Sequence, residues 1–113
     1  MSDAAVLPSL IRDLRGLIQQ RQFARAFARL DRALDALPQE RGKLLLLRID
    51  IAGAANDAAT LAVDCRRLVD CAVQQGARAA PFVAALRARR LLAEALQLVM
   101  QLPPNVPGLA IEA

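Results

Sequence analysis

The sequence predicts an all-α chain of antiparallel helix pairs, about five helices in all, on three observations. Hydrophobic residues make up 56% of the 113 residues but aromatics only 3%, so the core has to come from Leu, Ala, Val and Ile. Leu, Ala and Arg are among the best helix formers, while the β-branched and aromatic runs that make strands are nearly absent. Apolar residues recur at i, i+3, i+4 and i+7 through most of the chain, in segments separated by only a few residues. Breaks that short force consecutive helices to pack as antiparallel neighbours.

Residues 1–6 are expected to form a flexible N-terminus. The first helix, "LPSLIRDLRGLIQQ", is expected over Leu7–Gln20, with apolar residues at 7, 10, 11, 14, 17 and 18. Pro8 suits its first turn, where the missing N–H costs nothing. The second runs from Gln22 to Leu37, and Phe23, Ala26, Phe27, Leu30, Ala33, Leu34 and Leu37 form its apolar face. Pro38 ends it. The third occupies Glu40 to Ala54, with Glu40 favourably placed in the first turn. "AND" at Ala55–Asp57 breaks the chain, and Asn56 or Asp57 can cap the fourth helix.

That fourth helix carries a stripe of Ala58, Leu61, Ala62, Cys65, Leu68, Val69 and Ala72, and stops after Gln75 at Gly76, a residue suited to the C′ position. Pro81 starts a further helical stretch reaching Leu102, either one long helix or a pair broken near Arg89–Arg90. Residues 7–102 thus read as a single helical domain. The Pro-rich segment 103–113, "PPNVPGLAIEA", reads as an extended tail whose Leu109 and Ile111 either dock on the last helix or remain loose.

The inventory of reactive groups argues against catalysis. The chain has no His, Tyr or Trp, and its only hydroxyl side chains are Ser2, Ser9 and Thr60, so no Ser–His or Cys–His pair can form. Cys65 and Cys71 without histidine do not make a zinc site, and the five glycines are too scattered for a phosphate loop. Asp64 and Asp70 fall on different faces of one helix. No enzyme activity, cofactor or metal is therefore expected. The two thiols are six positions apart on one helix, a rise of roughly 9 Å, too far to bridge. Cys65 lies on the apolar stripe as a small buried hydrophobe, while Cys71 falls off it and is expected nearer solvent.

Two free thiols, together with an opening segment that lacks a basic leader and apolar core, point to the cytoplasm. The most apolar stretch, Leu44–Ala55, is interrupted by Arg48 and Asp50 and is too short to span a membrane. Of the 15 basic residues 14 are Arg, a bias typical of GC-rich bacterial genomes, and the net charge is +4.

Arg21, Arg25, Arg29 and Arg32 line one face of the second helix. Like charges at i, i+4 cost a few tenths of a kcal/mol, roughly 0.2–0.5 per pair. Asp35 is within helical reach of Arg32; the other three have no acid at helical reach within that helix. Such a row is either a solvated face with partners on a neighbouring helix or a surface for acidic protein or phosphate. Arg66, Arg67, Arg87, Arg89 and Arg90 could extend it. With only three Phe and with acids interspersed, the pattern suits nucleic acid poorly. Leu45, Leu46 and Ile49 on the third helix, and Val83, Leu86 and Leu98 further on, exceed what one buried stripe needs. A surplus of this kind is expected at an interaction or self-association surface. The expected partner-binding set is therefore Arg21, Arg25, Arg29, Arg32, Leu45, Ile49, Val83 and Leu86.

Phe23, Ala26, Leu30, Ala33 and Pro38 stand at the spacing of the second helix of a tetratricopeptide repeat, and Arg21–Pro38 resembles that motif. In the first helix Leu10 and Leu17 fit the repeat, whereas Asp13 and Leu14 depart from it. Arg41–Val73 resembles a second repeat with a one-residue shift, pairing Leu44, Leu47 and Ile51 with Leu61, Cys65 and Leu68, without the aromatic or the closing proline. The resemblance covers about two-thirds of the chain and implies an α-α superhelix with a step of about 34 residues. "LLLLRIDIAGAANDAATLA" is similar to the second repeat of small cytoplasmic chaperones of bacterial type III secretion, such as the needle-subunit chaperones. The resemblance implies a non-enzymatic adaptor or chaperone that holds an amphipathic helix of a protein partner. A basic nucleic-acid-associated or regulatory protein and a homodimeric helical bundle are the alternatives.

Overall fold

The computed structural model of the chain describes residues 3–76 and 79–102. Among these residues the chain is all-α: six α-helices, one 3₁₀ turn and no strand. The helices are α1 (Asp3–Gln19), α2 (Phe23–Ala36), α3 (Arg41–Ala54), α4 (Ala58–Gln75), α5 (Ala80–Ala88) and α6 (Leu92–Gln101), and the 3₁₀ turn at Pro38–Glu40 joins α2 to α3. The chain divides into two compact units, Met1–Leu61 and Ala62–Ala113, with the boundary in the first turn of α4.

In the first unit α2 packs against both α1 and α3. It is the most amphipathic of the helices, and its expected face is used: Ala26 and Leu30 are wholly buried and Leu34 nearly so. Leu10 and Leu14 of α1 and Leu44, Leu45, Ile49, Ile51 and Ala52 of α3 are also buried. The chain leaves α2 through Leu37 at φ −127° and ψ 65°, non-helical as a residue before proline tends to be. In the second unit α5 packs on α6, and the buried set is Cys65, Leu68, Val69, Cys71, Ala72, Ala79, Val83, Leu86, Ala95, Leu98 and Leu102.

Two of the expected elements are corrected and one open alternative is decided. The first helix reaches back over residues 3–6, expected to be flexible, and Pro8 lies inside it rather than in its first turn. There the ring nitrogen forfeits a backbone hydrogen bond, a cost that sequence rules use to argue against such placement. Of the two alternatives for Pro81–Leu102, the structure has the pair, α5 and α6, broken at Arg89–Arg90. Cys71 is buried, because the covered arc of α4 takes in positions 64, 65, 68, 69, 71 and 72 and is wider than the stripe read from the sequence. The expected extended tail, with Leu109 and Ile111, lies outside the described residues.

The connections α1–α2, α3–α4 and α5–α6 share one construction. Arg21, Asn56 and Arg90 sit in the left-handed region, at φ 56°, 60° and 63°. Their N–H groups donate to the carbonyls of Ile18, Gly53 and Arg87, and the next N–H groups donate to Leu17, Ala52 and Leu86, all at 2.8–3.2 Å. This is the Schellman arrangement, which satisfies carbonyls that a helix end leaves open. Glycine usually fills the left-handed position because a Cβ there costs roughly 1–2 kcal/mol, so two arginines hide the turns from a reading of sequence. The left-handed residues are spaced 35 positions (Arg21 to Asn56) and 34 positions (Asn56 to Arg90) apart. Gly76, at φ 59°, takes the expected C-terminal role on α4.

Asp57 is the N-cap of α4. Its Oδ1 accepts the Thr60 N–H at 3.1 Å, and its Oδ2 accepts the Thr60 hydroxyl at 2.7 Å. The Thr60 hydroxyl, and secondly the Thr60 N–H, stabilise the carboxylate and lower its pKa from the ordinary 3.8. A carboxyl whose folded pKa is depressed contributes stability above its unfolded pKa and loses that contribution as pH falls through the folded value. Asp57→Ala is expected to melt a few degrees below wild type at neutral pH. The gap should hold down to about pH 5 and narrow progressively below 3.8. Thermal melts by circular dichroism check this, and a gap that persists undiminished at about pH 2 contradicts the assignment.

Candidate partner-binding surfaces

The arginine face of α2 is less bare than its sequence suggests. Arg21, at the turn before the helix, lies over the Phe23 ring with its guanidinium carbon 5.8 Å from the centroid. Arg25 donates to the Gln22 side-chain oxygen at 3.1 Å. Arg29 donates to Asp13 on α1 at 2.9 Å, a bridge between half-exposed side chains that ties the two helices together. The partner thus comes from a neighbouring helix, the reading that the missing in-helix acids suggested. Arg32 has no hydrogen-bond or ion-pair partner among the described residues, and the expected relief by Asp35 is not formed.

On the α3 side, Arg48 bridges to Asp31 at 2.5 Å and lies over Phe27 at 4.7 Å. Both rings of α2 are therefore covered by guanidinium groups. Such contacts use the ring quadrupole and are worth about 0.5–1 kcal/mol at exposed sites.

Beside this face runs a groove between α1 and α2. Leu10, Ala33, Ala36 and Leu37 make its floor, Arg29 and Arg32 its rim, and its volume is about 280 Å³. A second hollow of about 240 Å³, between α1 and α3, is lined by Ile11, Leu14, Ile18, Leu47 and Ile51 with Arg15 and Asp50 at its edge. Opposite charges at that edge give it no net preference for an anion.

The expected apolar surplus is placed differently. Leu45, Ile49, Val83, Leu86 and Leu98 are buried and Leu46 is half-buried, so these residues serve the core rather than a partner surface. On α3 the buried arc is wide, taking in Gly42, Leu44, Leu45, Ile49, Ile51 and Ala52, while Val83 and Leu86 are themselves the one buried face of α5. Among the described residues the large apolar side chains left in solvent are Val63 on α4 and Leu92, Leu96 and Met100 on α6, the last three at 60%, 59% and 76% exposure. At i, i+4 and i+8 they form one row along the helix, opposite the buried Ala95, Leu98 and Leu102. A signal was present: in "LAEALQLVMQ" the polar Glu94, Gln97 and Gln101 share one face, and the apolar residues fill a broader arc than one buried stripe needs. Reading α5 and α6 as one unbroken helix loses that phase, because the turn at Arg90 resets it.

Of the other basic residues, Arg67 donates to the wholly buried Asp64 at 3.2 Å, and Arg89 donates to the Ala85 carbonyl at 3.0 Å. Cys65 and Cys71 are free thiols, both buried. The Cys65 thiol is pushed up to about 11, first by burial and then by the Glu94 and Asp64 carboxylates. A thiol so placed is protonated at neutral pH and is a poor nucleophile. Among the described residues no three His, Cys, Asp or Glu side chains gather as metal ligands, and no helix is long and apolar enough to cross a membrane. No protein-family model, curated protein or solved structure matches this chain.

Proposed function

We propose that this protein is a non-catalytic helical interaction module, a small cytoplasmic adaptor or chaperone that holds an amphipathic helix of a protein partner. The observation that carries the proposal is the row Leu92, Leu96 and Met100, which leaves most of three large apolar side chains in water on one helix face. Fully burying such a side chain is worth about 1.5–3 kcal/mol, so covering the row supplies a meaningful binding energy. A row at helical spacing is complementary to the apolar stripe of another helix.

Kinship with tetratricopeptide proteins, and with the type III secretion chaperones built on that repeat, is part of the same proposal. It is supported by left-handed turns 35 and 34 residues apart, close to the repeat's step of about 34. A nucleic-acid role draws less support, since the arginines of α2 are largely engaged with Phe23, Gln22 and Asp13.

The test compares wild type with Leu96→Glu/Met100→Glu, both shown to be folded by circular dichroism. Immobilised wild type is expected to retain one protein from its host in stoichiometric amount, and the variant to lose it. Retention of the same proteins by both, or a wild type that stays monomeric and captures nothing, overturns the proposal. So does a wild-type homodimer without other partners that the variant dissociates, which would make the row a self-association surface.

A further inference from the structure

We propose that the α1–α2 groove is a binding site for an acidic amphipathic helix of a protein partner. An apolar side chain of that helix seats on Leu10, Ala33, Ala36 and Leu37, and one of its carboxylates sits on Arg32. The inference rests on reading the protein as a helix-binding module, but it concerns a different surface from the α6 row.

Three features select this occupant. Arg32 is exposed and has no hydrogen-bond or ion-pair partner among the described residues, so its guanidinium is available to a carboxylate from outside. Arg29, already bridged to Asp13, is 41% exposed at the side chain and keeps donors free for a second carboxylate, because a guanidinium carries five. The floor is small and apolar, with two alanines, which lets a helix backbone approach closely; a hollow of about 280 Å³ takes a side chain or two rather than a whole ligand.

Nucleic acid is a poorer fit. Its bases would want a free aromatic face, and Phe23 and Phe27 are both covered by guanidinium groups. An anionic membrane would meet Asp13, Asp31 and Asp35, which stand exposed around the arginines.

The full-length protein is titrated against a fluorescein-labelled synthetic helix of Leu, Ala and Glu about 18 residues long, enough to be substantially helical, with fluorescence anisotropy as readout. The comparison probes are the same helix with Gln for every Glu, a poly-glutamate peptide, and phosphatidylglycerol vesicles. Arg32 and Ala36 are exposed, so Arg32→Glu and Ala36→Trp are expected to fold, which circular dichroism verifies. The acidic helix is expected to bind wild type. Binding should weaken about tenfold with the Gln helix or with Arg32→Glu, and should be blocked by Ala36→Trp. Raising salt from about 50 to about 200 mM should also weaken it, since both charges lie near the surface.

Equal binding of the Gln helix, equal binding of poly-glutamate, or an Arg32→Glu variant that binds like wild type overturns the site. Vesicle binding that Arg32→Glu abolishes would assign the groove to lipid headgroups and overturn it equally. Failure here is separable from failure of the functional proposal. If Leu96→Glu/Met100→Glu abolishes peptide binding and Arg32→Glu does not, the groove is excluded and helix binding stands; an intact groove response without a host partner at α6 gives the reverse.

Discussion

Leu30→Ala is expected to destabilise the first unit by about 3 kcal/mol, within the 2–5 range for truncating a buried leucine. Leu30 is wholly buried on α2, the helix that packs against both α1 and α3, so little backbone can collapse into the space without disturbing two interfaces. A domain of this size has only about 5–15 kcal/mol of total stability, so the loss is a large fraction of it. The measurement is the urea midpoint at unchanged slope. The same substitution at Leu96, on the exposed row of α6, is expected to shift stability by no more than about 0.5 kcal/mol. Equal effects at the two positions would contradict the assignment of Leu30 to the core and Leu96 to the surface.

Arg67→Met is expected to cost about 3 kcal/mol, although Arg67 is itself a third exposed. The cause lies with its partner. Asp64 is wholly buried on α4, and removing the guanidinium withdraws a compensating charge from a carboxylate that has no access to water. The aliphatic part of Arg67 is retained in Met, so packing changes little and the effect isolates the charge. Asp64→Leu together with Arg67→Met is expected to recover most of the loss, because a buried ion pair replaced by apolar groups of similar size is often neutral or better. Urea unfolding of the two single variants and the double variant forms a mutant cycle with a measurable coupling. A double variant no more stable than Arg67→Met alone would mean that Asp64 holds α4 through its other interactions rather than through this pair.

How far the sequence reached can be judged element by element. The face of α2, the break after Leu37 and the stop at Gly76 were legible, and the cap of α4 was narrowed to Asn56 or Asp57, because each depends on residues within a few positions of one another. The break between α5 and α6 was visible only as an alternative, since Arg90 occupies a left-handed position that sequence rules assign to glycine or asparagine. For the candidate surfaces, the arginines of α2 were visible, but their state was not. Arg29 meets Asp13, 16 residues away, and Arg48 meets Asp31, 17 residues away, and neither distance is a helical repeat within one element.

The sequence by itself determined that the chain is helical, where most helices start and stop, and that it carries more apolar surface than one stripe per helix requires. Only the tertiary structure decided where the surplus goes. Leu45, Ile49, Val83 and Leu86 are covered, while Leu92, Leu96 and Met100 remain in water. Periodicity reports the phase of a helix, and that is a local property of its backbone. When a helix is apolar on several faces, which face is buried depends on packing against elements distant in sequence, and no local pattern encodes that choice.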